Sequence, residues 1–359
     1  MRRYLASPAA AALVLLALVA GACSKGSSTT GTTGSTTGTT ASGSTTASGS
    51  TTAPGSTTAP ASSGPASTTA ATSPSPSAVS TETFPLTITD DDGVKVTLAH
   101  APTRIVTFAP SATEVMFALG LGDEVVGVSG KFDDYPAPAK SIPEVGGAGQ
   151  FGVDPNIEKL VSLNPDLVLT IEGGDAWKAK LRNLGVPVFT TNSTDFDDVL
   201  HDIETVGEVT GAVAQADALT SSMAERGRAV EDAVANEPKT SCFFEVSYNP
   251  LYSVGPGSFI YDLLQRAGCD PVTSDAKDAY PQWSVEDLVR DDPDVYLVSS
   301  ESGGTVAQVG HREGYDGLTA VKDGRVYLVN SDLVSRAGPR VADGLEALAK
   351  AMHPAAFGG

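Results

Sequence analysis

The sequence predicts an α/β protein of two lobes, each built on a parallel sheet, joined by one long backbone helix with a cleft between the lobes. Three observations carry that prediction. First, strand-length apolar runs alternate with helix-length amphipathic runs through both halves of residues 84–353, the pattern of parallel βαβ units. Second, the fourteen residues from Asn156 to Leu169 recur in type from Ser284 to Leu297: a short helical run with an early glutamate, a Pro-Asp turn, then an apolar strand. The copies lie 128 residues apart, as Glu158 and Glu286 do, about half the folded length, so they mark two related lobes. Third, Val213, Ala216, Leu219, Met223, Gly227, Val230 and Val234 recur at steps of three or four. They predict one helix of about 24 residues, some 36 Å long, too long for an ordinary crossover.

The elements follow in order. Leu86 to Leu98 alternates around Asp91-Asp92-Gly93 and reads as a hairpin. Arg104–Phe108 is a strand, Ala112–Leu119 a helix closed by Gly120, and Glu124–Val128 a strand. Asn156–Leu163 is a helix, with Asp154 read as its N-cap and Pro155 in the first turn. Leu167–Ile171 is a strand, Ala176–Leu184 a helix ended by Gly185, Val186–Thr191 a strand, and Asp197–Thr210 a helix interrupted by Gly211. Pro238 ends the long helix. Beyond it come strand Cys242–Val246, helix Phe259–Gln265, a helix capped by Ser284 with Asp287 in a capping-box arrangement, strands Val295–Ser299 and Arg325–Asn330, and a last helix Gly344–Met352. The implied partition is an N-terminal lobe over 83–210, the backbone helix over 211–238 and a C-terminal lobe over 239–359. About 270 folded residues exceed what one compact core usually holds, which also favours two lobes.

The N-terminus reads as an export signal. Met1-Arg2-Arg3 is a short basic start, Ala9–Ala20 an apolar stretch, and Ala20-Gly21-Ala22 leads into Cys23. Residues 1–22 are therefore expected to be a signal peptide, with a bacterial lipobox placing lipid on Cys23 and the protein on the extracytoplasmic side of the cell membrane. Ordinary cleavage with an incidental Cys23 is the alternative. Residues 23–82 form a tether: from 26 to 80 there are only Gly, Ser, Thr, Ala, Pro and one Val, with nothing to bury. Such a chain spans about 40 Å end to end. The net charge is −20, and −22 once Arg2 and Arg3 leave with the signal, which argues against nucleic acid or an anionic lipid surface as partner. The other two cysteines, Cys242 and Cys269, are either a disulfide, worth about 3.5 kcal/mol by loop closure, or two small buried thiols.

Candidate functional residues divide by chemistry. Glu158 and Glu286 fall in first turns of helices, where a carboxylate suits the helix dipole; their matched position also fits docking on a two-fold partner. Gly147-Ala148-Gly149-Gln150-Phe151-Gly152 matches a dinucleotide fingerprint, but the preceding strand and the helix phase are wrong, so it reads as a cleft loop. His100, His201, His311 and His353 are scattered, which disfavours a metal site, and no cofactor is implied. No nucleophile elbow or Ser/His/Asp set is visible, so an enzyme is not indicated. Phe132, Tyr135, Phe151, Tyr248, Tyr252, Tyr280 and Trp283 concentrate in loops after strands, where parallel-sheet proteins bind ligands, and suit a bulky, partly apolar one. Arg336 and Arg340 flank Ala337-Gly338-Pro339; they either offer cations to an anionic ligand or pair with the acidic surface.

From Phe84 onward the chain resembles the substrate-binding proteins of ABC importers for iron siderophores and vitamin B12. The segments that carry this are Pro102-Thr103-Arg104-Ile105-Val106, Pro110-Ser111-Ala112-Thr113-Glu114, the two glutamate modules, Leu251-Tyr252-Ser253-Val254-Gly255 and Gly324-Arg325-Val326-Tyr327. The resemblance implies two Rossmann-like lobes on a helical backbone, a monomer, and a partner permease dimer with its ATPase whose arginines meet Glu158 and Glu286. It is similar above all to vitamin B12 binders, through Phe132-Asp133-Asp134-Tyr135-Pro136, Asn249-Pro250-Leu251-Tyr252, Pro281-Gln282 and Ser331-Asp332 with Arg336 to Arg340. A corrinoid ligand lined by Phe132, Tyr252 and Tyr280 is implied. The chain departs from that group at Ile171, Leu333 and Phe151 or Gly152, where the B12 binder carries aromatics, which keeps a ferric siderophore or haem open as ligand. Readings from other classes are a secreted α/β hydrolase or oxidoreductase, and a surface adhesion protein.

Overall fold

The computed structural model describes residues 84–147 and 154–358. The signal, Cys23, the tether, Phe151 and residues 148–152 of the glycine-rich loop lie outside the described residues. The chain enters through a hairpin, β1 (Leu86–Thr89) and β2 (Lys95–Leu98), paired antiparallel from Leu86 opposite Leu98 to Thr89 opposite Lys95. The fully buried Lys178 holds its turn, with Nζ 2.9 Å from Asp92 Oδ2.

The N-terminal lobe then runs β3 (Ile105–Phe108), α1 (Pro110–Ala118), β4 (Val125–Val128), α2 (Ile157–Ser162), β5 (Leu167–Ile171), α3 (Asp175–Asn183), β6 (Val188–Thr191) and α4 (Phe196–Thr210). Its sheet is all parallel in the order β4-β3-β5-β6. Helix α5 (Val213–Val234) crosses to the C-terminal lobe. There follow β7 (Thr240–Glu245), α6 (Phe259–Arg266), β8 (Cys269–Pro271), α7 (Val285–Asp291), β9 (Val295–Ser299), α8 (Val306–Val309), α9 (Thr319–Lys322), β10 (Val326–Val329), α10 (Ser331–Val334) and α11 (Val341–Met352). This second sheet is also all parallel, ordered β10-β9-β7-β8. The two-lobed α/β fold is thus as the sequence pattern predicts.

Strand alternation decides which core each side chain enters. In β7 and β9, Cys242, Phe244, Val295 and Leu297 face inward to the large core, while Phe243, Tyr296 and Val298 enter a separate cluster on the outer face with Leu288 and Tyr315. The first sheet divides likewise, with Val106 and Val168 packing outward on Leu160 and Trp177. The large core is continuous through α5: Leu167 and Phe189 of the first lobe, Met223 of the helix and Phe244 and Leu264 of the second belong to one cluster. The lobes are therefore welded along the helix rather than merely strung on it. Close approach makes the weld. A Cβ on Gly227 would lie 3.0 Å from the Phe196 ring, and one on Gly207 would lie 2.4 Å from Ala216 Cβ.

The duplicated modules have a shared cause. Asn164 and Asp292 are the two non-glycine residues with positive φ among the described residues, at +48° and +39°, and they occupy the same place in each copy. The tight turn lets the following aspartate cap the first strand of its own lobe. Asp166 accepts from the amides of Thr103 and Arg104, both at 2.9 Å; Asp294 accepts from the Ser241 amide at 3.2 Å and its hydroxyl at 2.7 Å.

Several local expectations need correction. The N-cap of α2 is Asn156, whose side chain accepts from the Lys159 amide at 3.0 Å, not Asp154. Ser284 caps α7, but Asp287 turns to the Ser284 hydroxyl instead of its backbone amide; the full reciprocal box is between Thr305 and Gln308. Strand β3 starts at Ile105 rather than Arg104, and the Arg104 guanidinium reaches back to the Leu163 carbonyl. Cys242 and Cys269 form a disulfide, Cα to Cα 5.9 Å, tying β7 to its edge neighbour β8; Cys242 is inside its strand rather than at an end. Among the described residues no helix is long and apolar enough to cross a membrane.

Candidate functional site

The loops at the carboxyl ends of the two sheets form the candidate site. On the first lobe the loop after β4 is built on Asp133. Its buried carboxylate accepts from Ser129 Oγ at 2.5 Å, from the Gly130 amide at 2.9 Å and from the Thr113 hydroxyl. Satisfying that aspartate inside the loop turns its neighbours outward, leaving Phe132 51% and Tyr135 46% exposed. Lys131 Nζ sits 4.8 Å from the centre of the Phe132 ring.

On the second lobe the loops 247–255 and 279–283 pair by short bridges. Tyr252 is bridged to both Ser247 and Gln282, and the Ser253 amide donates to the Pro281 carbonyl at 3.0 Å. Tyr252, Tyr280 and Trp283 thus stand on paired loops, with Tyr280 packed against the large inner core. All three are half-buried, and burial pushes the Tyr280 phenol above its ordinary range. Trp283 packs against the outer cluster, and its Nε1 is buried with no hydrogen-bond partner among the described residues.

Tyr248, 40% exposed, also covers a buried ion pair. Its ring lies 3.7 Å from the Arg312 guanidinium, which is bidentate to Glu245 at the end of β7. Tyr296 donates to the same carboxylate at 2.5 Å, and burial together with that charge holds its phenol well above the usual range. Sequence reasoning misses this buried cluster; two charged residues in otherwise ordinary segments are the whole of its signal.

The lobes meet at a second charge cluster. Glu114 of α1 is buried and accepts from Arg340 Nε at 2.8 Å and Nη2 at 2.6 Å, and from Arg336 Nη1 at 3.0 Å. Arg336 also meets Asp332 at 2.6 Å and Asp134 at 3.5 Å, and Arg340 stacks 4.0 Å from the Tyr135 ring. Of the two alternatives for these arginines, the described structure has them paired with carboxylates. Sequence reasoning takes their partner Glu114 only as part of a longer segment; an acidic residue inside a buried apolar helix is the signal that could have found it.

Glu158 and Glu286 are exposed in the first turns of α2 and α7, and neither makes a hydrogen bond or ion pair among the described residues. Both helices start beside carboxyl ends of their sheets: the Asn156 amide donates to Val145, which pairs with Val128 at the end of β4, and the Trp283 amide donates to Leu251 in the loop after β7. A groove of about 570 Å³ lined by Glu231, Lys239, Gln265 and Arg266 lies at the far end of α5, away from these loops. No cluster of His, Cys, Asp and Glu suited to a metal occurs among the described residues.

Comparison with known proteins agrees with this architecture. Residues 105–333 match the family model described as periplasmic binding protein. The chain is 36% identical over 287 residues to the uncharacterized ABC transporter substrate-binding lipoprotein YvrC of Bacillus subtilis, covering 77% of this chain and 88% of that one. It is 34% identical over 281 residues to a cobalamin-binding protein of Halobacterium salinarum, covering 76% and 75%. The periplasmic heme-binding protein RhuT of Roseiflexus sp. RS-1 superposes with a TM-score of 0.63 at 26% identity, over 70% of this chain and 98% of that one.

Proposed function

The chain belongs to the periplasmic binding protein family, as a substrate-binding protein of an ABC transporter of the iron-chelate and vitamin B12 type, and from that premise we propose that it is a lipid-anchored extracytoplasmic receptor that carries a corrinoid to its permease. The observation that carries the delivery role is the pair of exposed glutamates, unpartnered among the described residues, at matching places in a duplicated module. A carboxylate held at a helix start without a local partner is available to an arginine on another protein, and two related ones suit two copies of a symmetric permease. Cys23 is the proposed lipid site, in keeping with the relative named a lipoprotein. The act is capture and release, with no covalent chemistry.

The ligand reading is supported by the cobalamin-binding relative and by the aromatic loops. Phe132 and Tyr135 from one lobe and Tyr252, Tyr280 and Trp283 from the other supply flat apolar surface suited to a corrin face; Tyr248, Phe151 and Arg336 complete the proposed contact set. A ferric siderophore or haem in the same cleft is the second reading, favoured by the likeness to the haem-binding structure. The test is titration of the purified protein with cyanocobalamin, ferric siderophores and haemin. One-to-one saturable binding of cyanocobalamin is expected. Binding of haemin or a siderophore alone would transfer the assignment to the second reading, and binding of none would sink the ligand class.

A further inference from the structure

The charge cluster between the lobes has more carboxylates than guanidiniums. Glu114, Asp134 and Asp332 face Arg336 and Arg340, so the cluster is net −1. Glu114 has 1% of its side chain exposed and takes three of the arginine donors within 3.0 Å. A remaining Nη of Arg336 is committed to Asp332 at 2.6 Å, and the outer face of Arg340 is covered by Tyr135. Another cation on these loops, Lys131, lies over the exposed Phe132 ring.

From this we propose that Glu114 is a specificity-determining residue: by consuming both cleft arginines it makes the site select neutral or cationic metal chelates and reject polyanionic ones. The inference rests on the interlobe ligand site proposed above and deepens it. A trianionic chelate would have to draw Arg336 or Arg340 away from Glu114, and a buried carboxylate stripped of its partners is strongly penalised. If the arginines stayed in place, the chelate would meet a net negative cluster in a protein of formal charge −20. A neutral corrinoid whose rim carries amides needs neither change, since amides can hydrogen-bond to paired carboxylates and guanidiniums alike. Burial also explains why the pairing persists: a group with 1% exposure is not competed for by water, unlike a surface ion pair.

The experiment compares three probes of different charge: cyanocobalamin, a neutral ferric trihydroxamate and a trianionic ferric tricatecholate. Each is titrated calorimetrically into the wild-type protein and into Glu114→Gln, which keeps an acceptor oxygen but removes the charge. Wild type should bind a neutral chelate at least 100-fold more tightly than the tricatecholate. In Glu114→Gln the tricatecholate should gain at least tenfold while the neutral chelate changes less than threefold. Asp332→Asn, at a half-exposed position, should move the ratio the same way by a smaller factor and serves if Glu114→Gln does not fold. Equal wild-type affinity for neutral and trianionic chelates, or an unchanged ratio in the variants, would overturn the inference while leaving the corrinoid reading intact. Selective binding of the trihydroxamate without cyanocobalamin would sink the corrinoid reading and uphold the charge rule. A protein that binds none of the three overturns both.

Discussion

Replacing Asp202 by asparagine should raise thermal stability at pH 8 and leave it nearly unchanged at pH 4. Asp202 lies in α4 close to the carboxyl end of β6. Burial pushes its carboxyl from the ordinary 3.8 up to about 7, with the Asp91 and Asp198 charges adding to the rise and the Ser193 hydroxyl, 2.5 Å away, opposing it. Asp91 is held there by the hairpin, where its carboxylate accepts from the Asn192 amide at 2.7 Å. The folded state therefore binds this proton more tightly than the unfolded chain. The stabilisation due to that proton is fully present below the unfolded value of 3.8 and is lost as pH rises through about 7. At about 1.4 kcal/mol per pH unit, the loss across that window is about 4.4 kcal/mol at most. An asparagine amide resembles the protonated acid and does not titrate, so the difference between Asp202→Asn and wild type should open from near zero at pH 4 to a few kcal/mol at pH 8. For a protein of this size that is a shift in Tm of about ten degrees. Thermal melts of both proteins at half-unit pH steps give the curve. A Tm difference that is constant across the series would refute the reasoning, because it would mean that folding leaves the Asp202 proton affinity unaltered.

Two further predictions concern stability. Replacing Cys242 and Cys269 by serine together opens a loop of 27 residues' separation and should lower the unfolding free energy by about 3.5 kcal/mol, read from urea midpoints in non-reducing buffer. Arg312→Met strands the fully buried Glu245 carboxylate and should cost about 3–5 kcal/mol, whereas Arg312→Met with Glu245→Gln should cost less than the single change. Urea denaturation of Arg312→Met, Glu245→Gln and the double variant checks the order, and additive losses would contradict a coupled buried pair.

Much of the fold is legible in the sequence because its signals are periodic. The apolar runs of β5 and β9 sit in strands buried on both faces, and the step of α5 matches its buried stripe Ala216, Thr220, Met223, Gly227, Val230 and Val234. Short elements escape. The helices α8, α9 and α10 have four residues each, less than any amphipathic period can announce, and β8 is three residues pinned by a disulfide and a neighbouring strand. The repeat is visible, but half its meaning is not. Asp166 and Asp294 recur because each caps the strand that opens its lobe, a contact to residues 62 and 53 positions away that no local pattern encodes. Pairing escapes for the same reason: Arg336 is recognisable as a candidate, while Glu114, its partner 222 positions earlier, is not. Tyr248 follows a strand as other candidate aromatics do, yet its ring also covers Arg312, a contact 64 positions along the chain.

The central claim is that this protein hands a captured cargo to a membrane partner through two matched carboxylates. Its most direct test is uptake of labelled cobalamin by cells lacking the endogenous gene and supplied with wild type or with Glu158→Ala and Glu286→Ala combined. Wild type should restore uptake; the double variant should fail to, while its purified form binds cobalamin with unchanged affinity and melts at the wild-type temperature. Full uptake by the double variant would contradict the account.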